Sequence, residues 1–176
     1  MIITESYRKL NEQMHKDRPD FGARGGIWAQ QVADYAKKIG ATTATDFGAG
    51  KGGLKATLRR ISPLQVTNYD PAVPEFSAIP EPADLVVSTD VLEHVEPACL
   101  IAVITEIQRL AIKGVFLNIA FREAKKTLAD GRNAHLLVRP PYFWFDTLRE
   151  FFDIEAYHAD QGQVTIIGRR VGALWT

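Results

Sequence analysis

Short apolar runs alternate along this chain with stretches whose apolar residues recur every three to four positions. Runs of strand length stand at Thr43–Phe47 and at residues 66–69, 84–88 and 115–119, with helical spacing over residues 54–61 and 97–112 between some of them. Ahead of these, a polar, helix-favouring segment covers residues 5–16, and a loop follows through residues 19–26. A second helix is predicted over residues 27–39, where Ile27, Trp28, Val32, Tyr35, Ala36 and Ile39 share one face and Gly40 supplies the stop. Strands that alternate with helices predict a mostly parallel sheet covered on both faces. The last third changes rhythm: a helix over residues 141–152, then strands over 154–158 and 164–168 joined by a turn at Asp160-Gln-Gly162, which reads as a terminal hairpin. Between the second and third strands, prolines at 71, 74, 80 and 82 leave no room for a helix.

Composition narrows the picture without naming a partner. The 176 residues suit one domain with a core of its own. Lys plus Arg and Asp plus Glu are both 21, so no global field favours nucleic acid or an anionic membrane. Cys99 is the only cysteine, which excludes an internal disulfide and a multi-cysteine metal site; its apolar helical setting suits an inert buried thiol. The chain opens Met1-Ile-Ile-Thr-Glu, polar at once, and has no apolar run of membrane-spanning length, so a cytoplasmic protein is expected.

The candidate chemistry begins at Thr43-Ala-Thr-Asp46-Phe-Gly48-Ala-Gly50-Lys-Gly52-Gly53, glycines placed after a strand and before a helix. Glycines allow a tight turn and close approach of a ligand, and N–H groups at the helix start can solvate a polar group. Two cofactor classes use such loops. Gly48-x-Gly50-x-x-Gly53 fits the dinucleotide pattern, and Asp46-x-Gly48-x-Gly50-x-Gly52 fits the S-adenosylmethionine pattern equally well.

A second segment separates them. Asp84-Leu-Val-Val-Ser-Thr-Asp90-Val-Leu-Glu93-His94-Val95 resembles the fourth strand and following loop of class I S-adenosylmethionine-dependent methyltransferases, above all small-molecule O-methyltransferases with a Leu-Glu-His-Val sequence there. Dehydrogenases have no such element. The resemblance runs from the glycine loop through Asp70 at the end of the second strand to the closing hairpin. In addition, Asp130-Gly-Arg-Asn-Ala-His135 resembles a stretch of phage and bacterial methyltransferases. The fold this implies is α/β, a Rossmann-like three-layer α/β/α sandwich with a mostly parallel sheet and a C-terminal antiparallel hairpin. Residues 1–40 would form a helical lid and 41–176 the core of a single methyltransferase domain.

The resemblance also implies roles. Asp46 and the backbone of Gly48, Ala49, Gly50 and Gly52 would hold the amino-acid end of S-adenosylmethionine. Asp70, followed by Pro71, would accept the two ribose hydroxyls. Thr89 and Asp90 fall at the carboxyl end of the central strand, where open α/β sheets place ligands. Tyr7 and Trp28 would serve as lid residues over the cofactor. Other readings stay open: Asp46 as a carboxylate tethering the loop, Asp70-Pro71 as a turn start, and Tyr7 and Trp28 as packing. One departure is plain. The short stretch from Asp70 to Asp84 cannot hold the usual helix and third strand, so that region is truncated. Adenine contacts must come from residues 73–79 or elsewhere, with Phe76 as a candidate or simply a packing residue.

Methyl transfer is an in-line displacement that must align the acceptor and, for a hydroxyl, remove its proton. His94 is the expected base. Asp90, Glu93 and His94 would share a face if a helix began at the strand end; Glu93 and His94 could equally cap and pack that helix start. Ubiquinone-pathway and small-RNA 3′-end 2′-O-methyltransferases carry an acidic-x-x-Glu-His pattern with a later His that holds a divalent metal, and this chain has Asp90, Glu93, His94 and His135. That resemblance leaves a divalent metal engaging the acceptor hydroxyl as an alternative to the histidine base. The long connection after the fifth family strand carries Arg122, Lys125, Lys126, Arg132, Asn133 and His135, which suits a polar or anionic acceptor or else a solvated loop.

Arg139-Pro-Pro-Tyr142 looks like the Pro-Pro-Tyr of DNA amino-methyltransferases but stands in the wrong place, opening a later helix. The expected function is S-adenosylmethionine-dependent O-methylation, or less readily N-methylation, of a small polar acceptor such as a sugar or metabolite, with neither nucleic acid nor membrane as partner. The alternatives are a non-catalytic methyltransferase-like binding module and a nucleic-acid methyltransferase.

Overall fold

Helix α1 (Glu5–Asp17) starts where Thr4, extended and outside the helix, accepts the Tyr7 N–H on its hydroxyl; Glu5 in the first turn and Lys16 in the last match the helix dipole. The second helix starts later than its apolar spacing predicts. Residues 24–28 form a tight 3₁₀ turn, and α2 runs Ala29–Lys38, leaving Ile27 exposed. The cause is tertiary: Gly25 and Gly26 lie against α3 (Gly53–Ile61), where a Cβ on Gly26 would sit 2.6 Å from the Thr57 hydroxyl. Helix α4 (Leu100–Leu110) also stops short of residue 112. Ala111 turns extended and pairs with Ala83, so strand β4 (Ala111–Ala120) starts four residues before the expected run. Helix α5 is Pro141–Leu148, its end set by the start of β5 (Phe152–Asp160).

In the computed structural model, which describes residues 1–171, these elements surround one six-stranded sheet. With β1 (Thr43–Phe47), β2 (Gln65–Tyr69), β3 (Ala83–Thr89) and β6 (Gln163–Arg170), the order is β2-β1-β3-β4-β6-β5. The first four positions are parallel, and β6 lies antiparallel to both β4 and β5. The hairpin turn is the two-residue Gln161-Gly162, both at positive φ, the primed turn whose twist suits adjoining strands. As the proline-rich stretch implies, β2 is the sheet edge, and only a short 3₁₀ turn (Pro74–Phe76) lies between it and β3.

Period-two alternation divides the core. Val86 of β3 and Val115, Leu117 and Ile119 of β4 face α4 and α5, packing with Ile104, Ile107 and Trp144. Leu85, Val87 and Phe116 face the opposite way, onto Val32, Leu54 and Leu58 of α2 and α3. Both faces are therefore dry, as a parallel sheet requires. Cys99 is buried in the first of these clusters, as expected of a structural thiol. A third cluster joins Tyr7 and Met14 of α1 to Leu128 and Ala134 of the β4–α5 connection. The N-terminal arm and that connection together roof the carboxyl ends of the strands. No helix among the described residues is long and apolar enough to cross a membrane.

Candidate active site

A cavity of about 860 Å³ lies under this roof, where the strand order reverses between β1 and β3. One half is built by the glycine loop and Asp70, the other by the turn after β3 and the β4–α5 connection.

From Gly48 to Gly52 the glycine loop is bound to the protein at every amide. Gly48 and Ala49 donate to the Tyr69 carbonyl at 2.7 and 3.0 Å, Gly50 to Asp70 Oδ2 at 3.0 Å, Lys51 to the Gly22 carbonyl at 2.9 Å and Gly52 to the Ala49 carbonyl at 2.8 Å. From Gly48 to Gly52 the loop thus has no spare backbone donor for an anion, and the N–H groups at the start of α3, expected to solvate a ligand, belong to residues that do not line the cavity. What it leaves facing the cavity are acceptors. Asp46 and Asp70 both line the space, and burial, reinforced by the neighbouring Asp70 charge, pushes the Asp46 carboxyl up to about 7. Asp70 Oδ1 takes the Ala72 N–H at 2.9 Å, so each Asp70 oxygen is fixed by one amide and keeps a second lone pair. Such a surface favours a cation and hydroxyl donors over a pyrophosphate.

Two of the loop's glycines stand where no side chain fits. Gly48 (φ 81°) would drive a Cβ to 2.4 Å from Val91, and Gly50 (φ 52°) would place one 2.5 Å from the Gly22 carbonyl. Close approach here serves the arm as much as any ligand. Gly52 faces Asn68 rather than the cavity, so its expected cofactor role is replaced by capping α3. Trp28 is likewise corrected: it packs near Phe116 in the α2–α3 core and does not line the cavity. Phe76 points no chemistry at the site either; its carbonyl accepts the Asp70 N–H at 2.9 Å. Ala49, Pro71 and Thr89 do line the cavity. So does Tyr7, whose hydroxyl donates to the His94 carbonyl at 2.6 Å.

In the other half, the segment after β3 is a 3₁₀ turn (Leu92–His94), and the shared helical face expected of Asp90, Glu93 and His94 does not form. Asp90 adopts φ 55° and its Oδ1 accepts from Gln163 Nε2 at 2.9 Å. Glu93 turns inward instead. Fully buried, it accepts the Ala120 N–H on Oε1 at 2.9 Å and leaves Oε2 without a partner; burial, then the Asp90 charge, pushes it up to about 8.

His94 donates from Nδ1 to the Ala134 carbonyl at 2.7 Å, and His135 from Nδ1 to the Arg122 carbonyl at 2.6 Å. A carbonyl only accepts, so both rings carry the proton on Nδ1 and turn a bare Nε2 inward. The rings stand edge to face with centroids 4.7 Å apart. Burial, with His135 nearby, brings His94 down to about 4, and burial also lowers His135; both are neutral at neutral pH. One ligand atom each from Glu93, His94 and His135 lies within 4.8 Å of the others. Asp90 is not in that group.

Two of the four cations on the connection are already engaged. Lys126 pairs with Asp20 at 2.8 Å, and Arg132 pairs with Asp130 at 2.6 Å and sits over the Tyr7 ring. Arg122 and Lys125 line the cavity, and Asn133 braces the connection by bonding Ala124 at both backbone groups and the His135 N–H.

Sequence reasoning missed His15 and Glu96. Glu96 takes the Thr4 N–H and hydroxyl at 2.8 and 2.7 Å, fastening the arm to the turn after β3. His15 lines the cavity beside Asp70. Its signal was the stripe Tyr7, Asn11, His15 at i, i+4, i+8, a polar-aromatic line along one face of the helix.

No protein-family model matches the chain, and no curated protein sequence does. Solved structures match its fold. The 1,6-didemethyltoxoflavin-N1-methyltransferase of Burkholderia thailandensis, with bound 1,6-didemethyltoxoflavin and S-adenosylhomocysteine, superposes with a TM-score of 0.69 at 15% identity, covering 97% of this chain and 91% of that one. A mitomycin 7-O-methyltransferase gives 0.59 at 17%, over 90% of this chain and 60% of that one. Human N-acetylserotonin methyltransferase in complex with S-adenosylmethionine gives 0.57 at 15%, over 82% and 52%. The fold is that of class I S-adenosylmethionine-dependent methyltransferases, as the sequence resemblance implied, and the chain spans little more than half the length of the last two.

Proposed function

We propose that this chain is a single-domain S-adenosylmethionine-dependent methyltransferase acting on a small polar acceptor, most readily at oxygen. The observation that carries this reading is the state of the glycine loop: its amides from Gly48 to Gly52 are all spent within the protein, while Asp46 and Asp70 face the cavity. That surface rejects the pyrophosphate of a dinucleotide and suits a ligand with an ammonium, a sulfonium and a ribose diol. When bound, the cofactor supplies a methyl group on positively charged sulfur. Asp46 would face the cationic end and Asp70 the diol. His94 Nε2, which has no hydrogen-bond partner among the described residues and is neutral at neutral pH, would take the acceptor proton. The arm would exclude water. The names of similar structures include both N- and O-methyltransferases, and the histidine base favours a hydroxyl, whose proton must leave. Incubating the protein with methyl-labelled cofactor and fractionated cell extract tests this. Label should enter a small polar compound and should not do so with His94→Ala; label in nucleic acid would sink the acceptor class.

A second reading is favoured by Glu93, His94 and His135. A buried carboxylate oxygen without a partner, beside two imidazoles whose Nδ1–H groups are held by carbonyls, is a donor set that fits a divalent cation. Such an ion would acidify an acceptor hydroxyl, and His94 would then be a ligand rather than a base. Dialysis against chelator discriminates: undiminished turnover supports the base, and loss restored by added cation supports the metal.

A further inference from the structure

His15 sits in the cavity with both ring nitrogens unused. Its Nδ1 is buried without a partner, and its Nε2 stands 3.9 Å from Asp70 Oδ2, beyond hydrogen-bond reach. The fold nevertheless holds this ring closely. The His15 carbonyl accepts Lys51 Nζ at 2.7 Å, Phe21 lies edge-on at 4.8 Å between centroids, and a Cβ on Gly22 would come within 2.9 Å of the ring. A polar side chain brought into a cavity and left unpaired loses its hydration without return, unless a ligand supplies the missing partner.

The two atoms flank a position that one hydroxyl can share: an oxygen set to the side of the line joining them, about 2.8 Å from each, is at ordinary hydrogen-bond length from both. With the ring proton on Nε2, the buried Nδ1 keeps only a lone pair, a smaller penalty than a stranded N–H. A hydroxyl in the gap would accept from His15 Nε2 and donate to the free lone pair of Asp70 Oδ2.

We propose that His15 is a cofactor-contact residue that shares one ribose hydroxyl with Asp70, so that cofactor binding fastens helix α1 over the cavity. This rests on the methyltransferase reading, in which Asp70 takes the diol. The coupling follows from position. His15 belongs to the arm, whereas Asp70 follows β2 of the sheet, so a group held by both adds to a roof held by Glu96–Thr4, Tyr7–His94, Lys126–Asp20, the contacts of Lys51 with the His15 and Gly22 carbonyls, and the apolar packing of Tyr7 and Met14 on Leu128 and Ala134.

The test is calorimetric titration with S-adenosylhomocysteine and with its 2′-deoxy and 3′-deoxy analogues, combined with hydrogen exchange of α1. Wild type should bind the parent ligand with slower exchange in α1. His15→Ala should weaken that binding about tenfold and abolish the added protection, and His15→Gln, which keeps a donor, should recover part of both. For one deoxy analogue the His15→Ala penalty should vanish. A penalty equal for all three ligands would overturn the shared hydroxyl, and unchanged affinity in a folded His15→Ala would overturn the contact while leaving the methyltransferase reading standing. Wild type that binds none of the three would overturn that reading and this one with it.

Discussion

The two halves of the cavity are specified in different ways. The cofactor half is mostly a local structure: Asp46 and the glycine loop lie within a few residues of one another, Tyr69 and Asp70 join from the neighbouring strand end, and Gly22 and His15 reach it from the arm. The opposite half, where the proposed acceptor would sit, is assembled from distant segments, Glu93 on the Ala120 amide, His94 on the Ala134 carbonyl and His135 on the Arg122 carbonyl. The first is backbone geometry set by glycines, and so it is recognisable as a motif. The second depends on side chains aimed by remote carbonyls, and it can change its acceptor without disturbing the first.

If the halves are separable, substitutions should divide their effects between turnover and cofactor affinity. His94→Ala should lower turnover by about 10²- to 10⁴-fold while S-adenosylhomocysteine affinity, read by calorimetry, stays within about twofold. A comparable loss of affinity would merge the two halves. Asp70→Asn should do the reverse, weakening S-adenosylhomocysteine about 10- to 100-fold with turnover at saturating cofactor largely kept.

A smaller effect follows from Asp46. Its carboxyl is raised to about 7, so the neutral form is favoured in the fold; the stability this group contributes is complete below the usual carboxylate pKa near 3.9 and is lost as pH rises through about 7. Cationic S-adenosylmethionine should therefore gain on neutral S-adenosylhomocysteine by up to about tenfold between pH 6 and 8, and Asp46→Asn should flatten both the stability slope and the affinity ratio. Smallest of all, Phe76→Ala should leave S-adenosylhomocysteine affinity within about twofold, since its ring does not line the cavity. A large loss would extend the cofactor half into the shortened edge of the sheet.

The same division explains what was legible in the sequence. Strand runs, the closing hairpin and the missing third strand follow from period and proline placement, which are local. Element ends were less legible, because Ala111 leaves its helix only by pairing with Ala83 and the 3₁₀ turn before α2 exists only by packing on α3. Glu93 and His94 were found by resemblance, yet their geometry was misread: the turn is 3₁₀, and Asp90 is drawn off by Gln163 from the far end of the chain. Trp28 was expected as a lid and packs in the core, whereas His15, in a segment read only as polar and helical, lines the cavity. An arm folded back over the sheet reverses the inside and outside that periodicity alone assigns.

The central claim is that the carboxylate-faced loop takes S-adenosylmethionine chemistry and that His94 lies outside its binding energetics. Titrating wild type and His94→Ala in parallel with S-adenosylhomocysteine and with NAD⁺ tests it directly. The account predicts equal one-site binding of S-adenosylhomocysteine by both proteins and no heat with NAD⁺; binding of NAD⁺, or silence with S-adenosylhomocysteine, would contradict it.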